Sequence, residues 1–334
     1  MSLISILLPV YNAAPFLTEC LNSIVQQSDS NWELLAINDF STDDSALILE
    51  EFASTDDRIH FFNNNEKGII PALRLALQKS GGTLITRMDA DDWMPTDKLA
   101  ILRRGWEKQG RGHVITGLVD YFSKTPLGLG YRNYQDWLNR LTIHNTHYSE
   151  IYRECVLPSP AWLIHREDLR KAGDFKSDRY PEDYDLCFRF YEQGFSIIGM
   201  PQIVHHWRDH SNRTSRTSPV YANPNFLELK LFWFFKLDYD PKKMLVVWGA
   251  GKKGKWIAKY LLEQKISFQW ITGNTRKQGI NIYDHFLTGP DFLTTTKNDT
   301  QTIVAIAAPE GRIKIQHFFD EKRKRNGQDY YWVC

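Results

Sequence analysis

The sequence predicts an α/β protein with a mostly parallel sheet and helices on both faces, followed by a second, smaller α/β domain. Three observations predict it. Short apolar runs alternate with segments of helical periodicity from Ile4 to Met88, polar clusters follow three of those runs directly, and a strand–turn–helix pattern starts again past Pro241.

The elements read in order as follows. Ile4–Leu8 is an apolar run rich in β-formers, after which Phe16, Leu17, Cys20, Leu21, Ile24 and Val25 recur at helical spacing. A strand at Glu33–Ile37 leads to a helix from about Asp43, where Ser41, Thr42 and Asp43 offer caps. Ile59–Phe62 is a short strand, Ile70, Leu73, Ala76 and Leu77 mark one helix face, and Leu84–Met88 is a further strand. A helix is expected near Pro95, whereas Tyr121–Pro160 is less regular, with one helix suggested by Trp137, Leu138 and Leu141. Tyr180–Asp183 opens a helix and Ile197–Val204 reads as a strand. The second domain offers a strand at Met244–Trp248, a glycine-rich turn, a helix, and strands near Phe268–Ile271 and Thr302–Ala307. These limits give a first domain over residues 1–218, a helical aromatic linker over 219–242 and a smaller domain over 243–334.

Bulk properties exclude several classes. With 41 lysines and arginines against 40 aspartates and glutamates, the net charge is +1, so no overall field draws the 334-residue chain to nucleic acid. The basic run Lys322–Arg325 reads as a solvated helix face. Cys20, Cys155, Cys187 and Cys334 are scattered, which suits a reducing, cytoplasmic setting and provides no thiolate cage. The opening MSLISILLPVYN lacks a basic n-region, so no secretory signal is expected. The aromatic stretch Phe226–Leu237 is too short to span a bilayer. It reads first as a helix packed between domains and second as a peripheral contact with the inner face of a membrane.

In open α/β sheets ligands bind beyond the carboxyl ends of the strands. Pro9-Val10-Tyr11-Asn12, Asn38-Asp39 and Asp89-Ala90-Asp91-Asp92 each follow a strand, so they are expected to converge on one sheet edge. Alternating carboxylates on such a turn suit Mg²⁺ or Mn²⁺ that also binds phosphate, although a solvated acidic turn capping the next helix has the same pattern. The Tyr11 ring can stack on a nucleobase and Asp39 can accept from a base N–H. Glu182 and Asp183 complement a helix dipole, and a carboxylate there can also serve as a general base. In His205-His206-Trp207-Arg208-Asp209-His210, histidines could ligate a metal and Arg208 could meet phosphate.

Taken together, ISILLPVYNAAPFLTECLNSIVQQ, WELLAINDFSTDDS, NEKGIIPALRLALQKSGGTLITRMDADD and YPEDYDLCFRFYEQG resemble family 2 of the glycosyltransferases, with the GT-A fold. The resemblance implies that Pro9, Tyr11 and Asp39 hold the base and ribose of a nucleotide-sugar donor, with Asn12, Lys67, Arg87, Asp89 and Arg208 completing the donor-binding set. It implies Asp89 and Asp91 as the DxD element, Asp91 and Asp89 being metal ligands with His210 from the later aromatic-arginine-x-histidine element. Ser211, Thr214 and Ser215 follow that element with loose spacing, and Trp207 stands for its usual aromatic. Asp183 is implied as catalytic base, supported by Glu182. The expected reaction is inverting transfer from a UDP-sugar to a hydroxyl of a glycan or lipid-linked acceptor, as in surface polysaccharide synthesis. The alternatives are a nucleotidyltransferase and a non-catalytic nucleotide-sugar binding or assembly protein. Acceptor contacts are expected in Tyr121–Pro160 and near His165.

In the second domain Gly249-Ala250-Gly251-Lys252-Lys253-Gly254 reads as G-x-G-x-x-G between strand and helix. The next strand ends Trp270-Ile271-Thr272-Gly273-Asn274, with no acid for a ribose. A nucleotide or phosphate and a packing role stand as equal readings, and the ligand is unknown.

Overall fold

The computed structural model describes residues 2–123, 126–210, 213 and 223–334. It divides into two compact units, 1–147 with 156–221, and 148–155 with 222–334.

The first unit is a seven-stranded sheet in the order β3-β2-β1-β4-β6-β5-β7. β1 (Ile4–Val10), β2 (Trp32–Asn38), β3 (Ile59–Asn63) and β4 (Leu84–Arg87) run parallel. Between them lie α1 (Ala14–Val25), α2 (Ser45–Thr55) and α3 (Ile69–Lys79). β1 and β4 are buried almost throughout, as central strands covered on both faces are, and they carry the buried polar residues Ser5, Thr86 and Arg87 among their apolar ones. After β4 come α4 (Lys98–Gln109), β5 (His113–Phe122), α5 (Leu129–His144), β6 (Trp162–His165), α6 (Arg166–Lys171), α7 (Glu182–Glu192) and β7 (Ser196–Arg208). β6 pairs antiparallel with both β4 and β5, so the sheet is mixed at this point.

Two features depart from the expected elements. β5 and β6 were not anticipated, because β5 is interrupted by Gly117 and β6 runs directly into α6 with no turn residue between them. A Cβ at Gly117 would lie 2.5 Å from a Val204 methyl, so the glycine permits the close β5–β7 pairing around two register shifts. β7 also runs four residues further than expected, to Arg208, and its side chains therefore alternate between faces instead of forming one cluster.

In the second unit, β8 (Met244–Trp248), β9 (Gln269–Ile271), β12 (Thr300–Val304) and β13 (Tyr330–Trp332) form a parallel sheet in the order β13-β12-β8-β9. The intervening elements are α9 (Lys252–Glu263), the hairpin β10 (Asn281–Ile282) with β11 (His285–Phe286), α10 (Phe292–Thr295) and α11 (Pro309–Glu321). The aromatic helix α8 (Asn223–Leu237) groups with this unit, packing Phe234 on Tyr331 at 5.0 Å between ring centroids. Its Lys230, only 3% exposed, donates to the carbonyls of Arg153 and Val333. The anticipated boundary at 218 lies outside the described residues. Lys322–Arg325 lies beyond the end of α11 and not on a helix face, because Arg323 takes a left-handed φ of 53°. Among the described residues no helix is long and apolar enough to cross a membrane.

Candidate active site

The carboxyl ends of β1 and β2 set the first part of the site. Asp39 follows β2 directly, and its N–H donates to the Val10 carbonyl at 2.7 Å. Asp39 is buried, at 7% exposure, and its carboxylate accepts from Gly68 N at 2.9 Å and Asn64 Nδ2 at 2.8 Å. Neither Asn64 nor Gly68 was singled out from sequence. Gly68 adopts φ +135°, a conformation that requires glycine, and this aims its N–H at Asp39. The Tyr11 ring stays 50% exposed at the same edge, with Lys67 Nζ 4.8 Å from its centroid. Asn12, at φ 48°, accepts from Thr42 N at 2.8 Å and so ties the β1–α1 turn to the β2–α2 loop. Pro9 sits in β1, paired with Ile37.

The acidic turn follows β4, where Met88 N donates to the Leu7 carbonyl. Its three carboxylates have three different surroundings. Asp89 Oδ1 lies 3.2 Å from Arg87 Nη2, and burial pushes its carboxyl above the usual range despite that cation. Asp91 Oδ2 lies 2.8 Å from His210 Nε2. Burial opposes the Asp91 charge, but the His210 contact and the nearby Arg213 guanidinium outweigh it and hold the carboxyl below the usual range. Asp92 is fully buried, accepting from Arg208 N at 2.7 Å with His205 Nε2 at 2.9 Å. Burial drives Asp92 well above and His205 well below their ordinary values, so both favour their neutral forms.

The late histidine cluster is thus divided by the pleat of β7. His205 goes to Asp92, His206 stacks on Trp93 at 3.8 Å, and the Asp91 contact is made by His210, just past the strand. Arg208 is committed within the protein. Its Nε donates to the Asp91 carbonyl at 2.7 Å, its Nη2 to Glu19, and its guanidinium lies over the Phe16 and Phe122 rings. Ser211, Thr214 and Ser215 lie outside the described residues. Beneath the turn, buried Lys98 donates to the Pro160 carbonyl at 2.6 Å, and burial brings its ammonium down to about 8. Nothing in the sequence distinguished Lys98 from a solvated helix lysine.

Glu182 and Asp183 open α7 behind Pro181. Arg87, 2% exposed, joins this helix to the acidic turn, with Nη1 3.3 Å from Glu182 Oε1 and Nη2 on Asp89. Asp183 Oδ1 accepts from Tyr184 N at 2.8 Å. Burial, and then the Glu182 charge, push the Asp183 carboxyl up to about 7, with Arg87 acting in the opposite direction. A carboxylate poised near neutrality at a rigid helix start has the strength that proton abstraction from a hydroxyl needs.

Among the described residues, no three His, Cys, Asp or Glu side chains converge as a complete metal cage. Asp91 and His210 nevertheless meet as an oxygen–nitrogen pair. Two protein donors suit Mg²⁺ or Mn²⁺, which commonly complete their coordination with water and phosphate oxygens.

In the second unit each glycine of the G-x-G-x-x-G turn has a distinct setting. Gly249 has φ +134°, and a Cβ at Gly254 would lie 1.9 Å from the Gly249 carbonyl oxygen. A Cβ at Gly251 would meet nothing within 4 Å.

Comparison with known proteins places these features. Residues 5–173 match the model of glycosyl transferase family 2. The putative teichuronic acid biosynthesis glycosyltransferase TuaG of Bacillus subtilis is 33% identical over 214 residues, covering 64% of this chain and 81% of that protein. A shorter match, 36% identical over 99 residues, takes in 30% of this chain and only 14% of the longer Streptococcus pneumoniae glycosyltransferase GlyA. Among solved structures, S. aureus TarS 1–349 in complex with UDP-GlcNAc superposes with a TM-score of 0.55 at 16% identity, over 71% of this chain and 68% of that one. The mannosyltransferase PcManGT from Pyrobaculum calidifontis, in complex with GDP-Man and Mn²⁺, gives 0.51 at 18%, over 72% and 77%. These structural neighbours share the fold, a GT-A architecture, and they bind nucleotide sugars. With its first half matched by the family model and its sheet edge built as described, the chain belongs to glycosyl transferase family 2 and is a glycosyltransferase.

Proposed function

We propose that the enzyme transfers a sugar with inversion from a UDP-sugar to a hydroxyl of a glycan or lipid-linked acceptor. The observation that carries this reading is the ion chain Glu182–Arg87–Asp89, which joins the start of α7 to the acidic turn. It sets a carboxylate with a near-neutral pKa, Asp183, on the same framework as a turn suited to a diphosphate. Family membership favours glycosyl transfer over a nucleotidyltransferase or a non-catalytic assembly protein. TarS binds UDP-GlcNAc and PcManGT binds GDP-Man, so the choice of uracil is left to the test below. TuaG, named for teichuronic acid biosynthesis, supports a polysaccharide as the setting.

In this reading Tyr11 offers its exposed ring to the base, while Asp39, oriented by Asn64 and Gly68, lies beside the base and ribose. Asn12 shapes that edge, Pro9 supports it from β1, and Lys67 brings a cation toward the phosphates. Asp91 and His210 would hold the divalent cation, with Asp89 beside them and Arg208 fixing the Asp91 backbone. When bound, the cation supplies charge neutralisation for the departing diphosphate. Asp183 takes the proton from the acceptor hydroxyl as its oxygen attacks the anomeric carbon, and the donor's carbon–oxygen bond to the diphosphate breaks. Glu182 and Arg87 set the position and basicity of Asp183. The leaving group departs without a proton, so one carboxylate suffices.

The test is thermal unfolding with UDP or GDP, each with and without Mn²⁺. A ligand that binds the folded state raises its Tm. UDP with Mn²⁺ is expected to raise Tm beyond either component alone, and Asp91→Ala to remove the metal-dependent part. A larger shift with GDP would reject uracil, and an unchanged Mn²⁺ effect in the variant would reject Asp91 as ligand.

A further inference from the structure

A shallow, open groove of about 550 Å³ lies along the exposed face of α1, with Trp93 at one side. We infer that it is a saccharide subsite, taking neutral sugar units of a glycan. This rests on the family's glycosyl transfer for the relevance of sugars, but not on the identities of the nucleotide or metal.

The volume falls within the range of small-molecule clefts. Its lining includes Pro15, Thr18, Glu19, Asn22, Gln26 and Trp93; the first four project from one stripe of α1, and Gln26 continues that stripe at the helix's C-cap. The chemistry of that lining is selective. It contains no lysine or arginine, so a phosphate or sulfate finds no counter-charge. The lining presents apolar surface together with exposed amides and hydroxyls, so a ligand that carries both an apolar face and hydrogen-bonding groups uses more of it than an aliphatic one does. A sugar ring fits both constraints, since its hydroxyls donate and accept together and its C–H face is apolar. The side chains of Thr18, Asn22 and Gln26 make no hydrogen bond among the described residues, so their donors and acceptors are available to such a ligand.

Trp93 supplies a rigid aromatic wall. Its ring is half-buried and stacks on His206 with 3.8 Å between centroids and 18° between planes, and it meets Phe122 edge-on. The backbones of Trp93 and His206 exchange hydrogen bonds at 3.4 and 3.0 Å. An indole held this way needs little further ordering when a pyranose stacks on it. The groove also adjoins the acidic turn in bonded steps. Trp93 follows Asp92, and Glu19 in the groove wall binds Arg208, which donates to the Asp91 carbonyl. The groove is thus linked to Asp91 through Glu19 and Arg208.

The experiment uses the full chain with maltotetraose, cellotetraose and chitotetraose as probes, followed by saturation-transfer NMR and by tryptophan fluorescence. Asn22→Arg and Gln26→Arg place bulk in the groove from exposed helix positions, leaving Trp93 and Glu19 intact. At least one probe is expected to bind the unmodified protein saturably, and each variant to weaken it about tenfold or more. UDP binding with Mn²⁺ is measured on the same samples and is expected to stay unchanged. Failure of all three probes to bind, or equal binding by the variants, overturns the subsite. Loss of UDP binding in the unmodified protein would instead count against the donor reading, while saccharide binding would still decide the groove.

Discussion

The carboxyl ends of the parallel strands in the two units invite comparison, because topology makes each of them a crevice and the residues then make them different. In the first unit the edge carries Asp39, Asp89 and Asp91, held in place by Gly68, Arg87 and His210 respectively. In the second unit the corresponding turn after β8 carries glycines and lysines, and the strand end at Thr272–Asn274 has no carboxylate. One edge is a network in which each charged group has a partner that fixes it; the other is a turn whose shape is set by backbone contacts. The comparison teaches that a shared α/β pattern locates a crevice, whereas chemistry depends on side chains being oriented from neighbouring elements.

The largest effect should come from the first edge. Asp183→Asn removes the group proposed to accept the proton while keeping its shape. Its kcat for glycosyl transfer is expected to fall by about a thousandfold, within the range for general-base removal, with UDP affinity retained. Turnover near the unmodified level would end the proposed role of Asp183.

The second edge should respond in stability rather than in turnover. Gly254→Ala drives a methyl to 1.9 Å from the Gly249 carbonyl, so urea unfolding should show a loss of about 2 kcal/mol or more. Gly251→Ala meets no atom within 4 Å at an ordinary φ of −86°, and the change should stay within about 0.5 kcal/mol. Similar losses at the two positions would contradict the distinct settings of these glycines.

A smaller effect, in pH, sharpens the electrostatics of the first edge. The proposed base works ionised, and burial with the Glu182 charge pushes Asp183 up to about 7. The rate of glycosyl transfer should therefore rise with pH through about 7 and level off above it, the protonated form being inactive below. Glu182→Gln removes a negative neighbour and frees Arg87 to act on Asp183, and both changes favour the carboxylate. The acid limb should then move to lower pH; movement upward would contradict the assigned causes.

Much of this edge is legible in the chain because local pattern encodes it. β1, β2 and β4 can be recognised because each alternates with a helical segment and ends in a polar cluster, and those polar residues must emerge together once the strands lie parallel. The alternation over β1–β4, the helix start at Glu182 and the strand Met244–Trp248 all follow from periodicity and from turn or cap chemistry. β5 and β6 were not legible, since a glycine interrupts one and the other runs straight into α6 with no turn residue to mark its end. Asn64, Glu19 and Lys98 escaped for another reason: an amide, an exposed glutamate and a helix lysine have no distinctive local pattern, and each matters only through a partner far along the chain.

By itself, then, the sequence determined the strand–helix alternation, the edge on which ligands should gather and, by resemblance, the family. The tertiary structure decided which acid faces which partner. It gave Asp92 to His205 and Arg208, Asp91 to His210, and Asp89 to an arginine shared with Glu182. It also divided three neighbouring histidines, two on β7 and His210 just past it, among different partners. The physical reason is range. Hydrophobic periodicity acts within an element and can be read along the chain, while burial and charge pairing act across tens of residues and exist only once the elements have packed.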